Sequence, residues 1–191
     1  MATVYPELDD RLITFITSQP MFFVATAPSD VDGHVNVSPK GLAGSLAVLG
    51  PHRVAYVDYG GSGAETIAHL RQNGKITIMF CSFDRTPKIL RIYGTGRVIL
   101  PADPAWDEFA ASFGAKQGQG TGIDRGNQRA IIVVTADRIS DSCGYAVPLM
   151  ELTEERDLLT RWSERRSAAD LGAYWVKHNA VSIDGLPAID S

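Results

Sequence analysis

Lys75 to Leu100 reads KITIMFCSFDRTPKILRIYGTGRVIL, two long β-type arms, Lys75 to Phe83 and Lys88 to Leu100, joined by the turn chemistry of Asp84-Arg85-Thr86-Pro87. Gly94 and Gly96 interrupt the second arm and mark a bulge or a tight bend. Arms of this length suit a curled antiparallel sheet. Upstream, Met21 to Ala27 is a short apolar, aromatic run between Pro20 and Pro28, and Ser29-Asp30-Val31-Asp32-Gly33 is a turn leading to a second arm, His34 to Ser38, expected to end at Pro39. Leu46 to Leu49 and Val54 to Tyr59 add two more β-type runs around Gly50-Pro51-His52, and Ala130 to Ser140 is the last clear strand, with Ile131 to Val134 continuously apolar. Six or more strands with few helices imply a barrel.

Helical signals flank this sheet. Pro6 to Ser18 spaces Leu8, Leu12, Ile13, Phe15 and Ile16 helically, and Ala64 to Gln72 does so before the stop Asn73-Gly74. Asp103-Pro104 opens a short helix reaching Phe113. Leu152 to Lys177 reads as a helical tail that packs its aromatic residues on the barrel or across a dimer seam. The segment Gly114 to Asn127, rich in glycine, reads as a lid or an arm reaching a partner subunit. The whole chain, 1–191, is read as one domain, with a barrel core at about 20–148 and the tail at about 152–178.

Composition narrows the function. The net charge of −4, with scattered basic residues, shows no footprint for a nucleic-acid backbone. The apolar runs are too short to span a membrane, and the start lacks the basic, then apolar pattern of a signal peptide, so the expected location is the cytoplasm. Cys81 and Cys143 lie in or beside strand-like stretches and are expected to be reduced and buried. There is no phosphate-loop, CxxC, HExxH or Gly-x-Ser-x-Gly motif. The four histidines, His34, His52, His69 and His178, show no ligand spacing.

The stretch that carries chemistry is Asn36-Val37-Ser38-Pro39-Lys40-Gly41, followed downstream by Asp58-Tyr59-Gly60-Gly61-Ser62-Gly63-Ala64-Glu65-Thr66. Backbone N–H groups of the turn, the Ser62 and Thr66 hydroxyls at a helix start and the Lys40 ammonium together make a phosphate cradle. The same residues also suit a plain strand-to-helix turn whose glycines only relieve strain.

These two stretches, with Ile89-Leu90-Arg91-Ile92-Tyr93-Gly94, resemble the pyridoxamine 5'-phosphate oxidase-like FMN-binding split barrels over residues 5 to about 148. Ser140-Asp141-Ser142-Cys143-Gly144-Tyr145-Ala146-Val147-Pro148 and Ser182-Ile183-Asp184-Gly185-Leu186-Pro187 resemble a bacterial branch of related flavin-binding proteins. The resemblance implies a mainly β split barrel with flanking helices and a helical C-terminal tail, acting as a homodimer on a small-molecule substrate. It also implies FMN in a cleft between subunits, near Asn36, Val37, Ser38, Pro39, Lys40, Asp58, Tyr59, Gly61, Ser62, Thr66 and Arg91. The family's oxidases grip the FMN phosphate with Arg-Lys where this chain has Ser62-Gly63-Ala64, and the Arg and His that would hold pyridoxamine phosphate are not recognisable. The leading expectation is an FMN-dependent oxidoreductase. The alternatives are haem in the same cleft, with His69, His34 or His178 as axial ligand, a deazaflavin cofactor, or a barrel that dimerises with no cofactor.

Overall fold

The computed structural model describes residues 3–113 and 127–189. Its elements are β1 (Thr3–Tyr5), α1 (Asp10–Ser18), β2 (Phe22–Thr26), β3 (Asn36–Lys40), β4 (Leu46–Gly50), β5 (Arg53–Tyr59), α2 (Glu65–Asn73), β6 (Lys75–Cys81), β7 (Ile89–Ile99), α3 (Trp106–Ala110), β8 (Gln128–Ser142), α4 (Leu158–Glu164) and α5 (Ala168–Asn179). The strands form one antiparallel sheet in the order β3-β2-β6-β7-β8-β5-β4, with β1 added on β8. The long pair β6 and β7 lies at the middle of this path, and the bulge falls between Tyr93 and Gly94. A Cβ at Gly94 would collide with the Thr135 backbone, so glycine is needed where the sheet bends.

The sheet is curled but not closed. β3 and β4 follow each other in sequence yet stand at opposite ends of the hydrogen-bonded path. This explains Pro39 inside β3 rather than after it, because an edge strand pairs on one side only and tolerates a missing donor. Across the inner face, Val24, Ile78, Ile92 and Ile139 lie in one register row, all essentially inaccessible. α1 and α2 cover this face through Leu12, Ile16 and Ile67. The continuous apolar run of β8 has a simple cause: Ile132 and Val134 enter this main core, while Ile131 and Val133 enter a second cluster under Trp106 and Phe109.

Several sequence expectations are corrected. α1 starts at Asp10, not Pro6, because the Asp9 carboxylate caps it by accepting the Leu12 amide at 2.8 Å, and the residues before are taken by β1 and a link. The expected helix from Leu152 is two helices beginning at Leu158. They are separated at Ser167, whose hydroxyl and backbone close a capping box with Asp170 and restart the helix. Cys81 is buried, but Cys143 is exposed, since β8 ends one residue before it. Of the expected lid or arm, Gly114 to Asn127, residues 114–126 lie outside the described residues, and Asn127 is fully buried. Among the described residues, no helix is long and apolar enough to cross a membrane.

Candidate functional site

Asp58 ends the buried part of β5 and is wholly inaccessible. A carboxylate in that position needs cations, and two reach it from distant parts of the chain. Lys40 Nζ, on edge strand β3, donates to Oδ1 at 2.7 Å, and Arg129, at the head of β8, donates to Oδ2 from Nη2 at 2.6 Å and Nε at 3.1 Å. Burial alone would raise the Asp58 carboxyl, but the Lys40 and Arg129 charges outweigh it and hold the group below the usual carboxylate value. The ion pair from β3 to β5 therefore spans the open seam of the sheet, and the triad carries one net positive charge.

The turn after β5 is anchored by its carbonyls. Arg129 Nη1 donates to Gly63 O at 2.8 Å and to Asn179 Oδ1 at 2.8 Å, and Asn179 Nδ2 donates to Gly61 O at 3.0 Å. Gly60 exchanges bonds with Asn127, its amide donating to Asn127 O at 3.0 Å and its carbonyl accepting from Nδ2 at 3.3 Å. A Cβ on Gly60 would strike Trp175 Nε1 and Asn127 Oδ1, so the glycine admits the side of α5. With the carbonyls taken inward, the amides of Gly61, Ser62, Gly63, Ala64, Glu65 and Thr66 have no acceptor among the described residues. Gly61 and Ser62 are exposed, and α2 has no side-chain cap. A run of amides at the start of a nine-residue helix, above a positive triad, fits an anion. Glu65 opposes it in part, since its carboxylate folds over Gly63.

The expected site residues divide into groups. Asn36, Ser38 and Lys40 face inward from β3, as their pairing with Thr26, Val24 and Phe22 shows. Asn36 Nδ2 donates to Thr66 Oγ1 at 3.2 Å, while Ser38 Oγ is buried without a partner. Val37 and Pro39 face outward and are exposed. Tyr59 is half-buried beside Gln128. Asp58, Gly61, Ser62, Thr66 and Lys40 come together at the turn. Arg91 does not join them: it stands on the outward face of β7 in the register row of Pro39, and its Nη1 donates to Ser142 Oγ at 3.0 Å.

The three histidines singled out by sequence have different surroundings. His69 is inaccessible, with Nδ1 3.0 Å from Thr26 Oγ1 and Nε2 buried and unpaired, and burial lowers its pKa despite Asp184 and Glu65 nearby. His178 is exposed and lies against the Tyr174 ring. His34 holds Asp184. Among the described residues, no group of three or more His, Cys, Asp or Glu side chains is placed to hold a metal ion.

Sequence reasoning missed Arg129, Asn127 and Asn179, which do most of the anchoring. Two signals were present: a buried strand ending in Asp58 demands a cation, and Arg129 is the charged residue heading the apolar run of β8.

Comparison with known proteins agrees with this architecture. A family model described as Pyridoxamine 5'-phosphate oxidase matches residues 8–143. A curated relative, the Pyridoxamine 5'-phosphate oxidase family protein ustO of Aspergillus flavus, is 41% identical over 205 aligned residues, spanning 100% of this chain and 79% of the relative. Among solved structures, HupZ of Group A Streptococcus matches with a TM-score of 0.51 at 22% identity, covering 69% of this chain and 90% of that one, which bears on the fold alone. With an open antiparallel sheet, a strand-end Lys40 clasped to Asp58 and a family match over most of its length, this chain belongs to the pyridoxamine 5'-phosphate oxidase family.

Proposed function

We propose that this protein is an FMN-dependent oxidoreductase in which the Gly60–Thr66 turn holds the cofactor's phosphate. One observation carries the reading: the carbonyls of Gly60, Gly61 and Gly63 are tied inward to Asn127, Asn179 and Arg129, so the amides that follow face away from them without acceptors among the described residues. A phosphate there meets backbone donors, the Ser62 and Thr66 hydroxyls and the net charge of the triad, of which Lys40 is the partly accessible member at 20% exposure. When bound, FMN would supply hydride or electron transfer at its ring, and the protein would position it and exclude water.

Charge-assisted bonds are about twice as strong as neutral ones, so a turn built from amides and hydroxyls holds a phosphate less tightly than one built from paired cations. The expected affinity is modest. The family resemblance implies a homodimer with the groove shared between copies, and exposed Leu149, Met150 and Leu152, at 67%, 60% and 61%, support an apolar seam.

The experiment is an absorbance spectrum of the purified protein followed by FMN titration read by flavin fluorescence, with sedimentation to report the dimer. Saturable quenching that weakens about tenfold in Lys40→Met, for the loss of one charge-assisted contact, supports the reading. Absence of quenching at any FMN concentration refutes it, and a Soret band in the starting spectrum would replace flavin with haem.

A further inference from the structure

The C-terminal strap after α5 is fastened at two points. Asn179 ties it to the turn, and five residues later Asp184 ties it to the β2–β3 hairpin. The Asp184 carboxylate grips His34 twice, with Oδ1 2.6 Å from His34 Nδ1 and Oδ2 accepting the His34 backbone amide at 2.9 Å. Two residues on, Asn36 reaches Thr66 on α2, whose start is the turn itself. These contacts close a loop: Gly61, Asn179, Asp184, His34, Asn36, Thr66 and back to Gly61. The imidazole thus stands on the rim of the arrangement that presents the turn.

A neutral His34 would donate from Nδ1 to the Asp184 carboxylate and keep its lone pair on Nε2. Nε2 has no partner among the described residues, and the His34 side chain is 72% exposed. Its sequence neighbour Val35 and Asp184's neighbour Ile183 are each 70% exposed, so each member of the pair is followed or preceded in the chain by an open apolar side chain. Asp184 is held below the usual carboxylate value, first by the His34 side-chain bond, then by the His34 amide, with His69 adding a smaller effect. Asp30 and Asp32 lie in the same hairpin as His34, and Glu65 on α2 acts together with Asp184 on His69.

We propose that His34 and Asp184 form a proton-transfer site for a small, largely apolar substrate bearing an O–H or N–H group. The proton passes from the substrate's heteroatom to Nε2, the bond pair stays on the heteroatom, and the imidazolium that results is balanced by the Asp184 carboxylate. Return of the proton completes the cycle. The assignment does not depend on flavin, so a failed FMN titration leaves it standing.

Two measurements on the full chain without added cofactor test it. Nitrogen-15 imidazole spectra should show His34 as the Nδ1–H tautomer, and Asp184→Asn should release it to the Nε2–H form. Hydrolysis of p-nitrophenyl acetate, a flat apolar ester, should exceed background, with water as the O–H partner: Nε2 takes a proton as the water oxygen bonds the carbonyl carbon, the ester C–O bond breaks to release p-nitrophenolate, and return of the proton from Nε2 leaves acetic acid and p-nitrophenol. His34→Gln should remove the excess and Asp184→Asn should reduce it roughly tenfold, the low end of what losing an orienting carboxylate costs. His52→Gln, at an exposed histidine with no carboxylate partner among the described residues, should change nothing. An Nε2–H tautomer in the unaltered protein, or an ester rate indifferent to His34→Gln with the urea midpoint preserved, overturns the proposal.

Discussion

Replacing Arg129 by Met tests the anchoring of the site most directly. The substitution keeps the length and apolar stem of the side chain, but removes two bonds to Asp58 and one each to Gly63 O and Asn179 Oδ1. Removing one partner of a buried ion pair costs about 3–5 kcal/mol. Because Lys40 still bonds Asp58 at 2.7 Å, the lower part of that range, about 3–4 kcal/mol, is expected. That is a factor of roughly 100 to 1,000 in the folding equilibrium and a drop in Tm of about 10 °C for a chain of this size. Urea unfolding with an unchanged slope would give the number. Arg129→Lys keeps the charge but not the fork, so it should fall between the two. Asn179→Ala removes the bond to Gly61 O and the acceptor for Nη1, so in combination with Arg129→Met its cost should be clearly less than additive. A loss under about 1 kcal/mol for Arg129→Met, the value of an exposed pair, would refute the view that the triad anchors the turn.

Three further outcomes follow from the same geometry. The lowered His69 pKa means the unfolded chain binds more protons, so stability contributed by neutral His69 is complete above the unfolded value of about 6.5 and is lost as pH falls below it; His69→Gln should flatten the urea midpoint between neutral and mildly acidic pH. Asp58 has the same sign at lower pH, its contribution being present above the unfolded value of about 3.9 and lost as pH falls towards the depressed folded value, so Asp58→Asn should weaken acid dependence there. Gly60→Ala forces a Cβ into Trp175 and Asn127, so a loss of about 1–3 kcal/mol with a change in tryptophan fluorescence is expected, and an unaltered spectrum would contradict the docking of α5.

How much of this was legible beforehand depends on the range of the interactions. The strands β2, β4 to β8, the turn before α2 and its stop at Gly74, with φ of 70°, were readable because alternation, apolar runs and glycine chemistry are local properties. The restart of the tail at Ser167 was equally local but hidden under continuous helix-forming composition. Lys40, Ser62 and Thr66 were grouped from residue chemistry alone, as a charge and two hydroxyls around a glycine turn; the family resemblance added Asp58, which joins them, and Arg91, which alternation sends to the other face of the sheet.

By itself, then, the sequence determined most of the strands, the antiparallel class, the continuously apolar run of β8 and the glycine turn that follows Asp58. Only the tertiary structure decided which cations answer that carboxylate, because Lys40 and Arg129 lie 18 and 71 positions away and meet it through the curl of an unclosed sheet. It also decided that Asp184 meets His34 across 150 positions. Periodicity records which face a side chain takes, but not which distant segment will be folded against it.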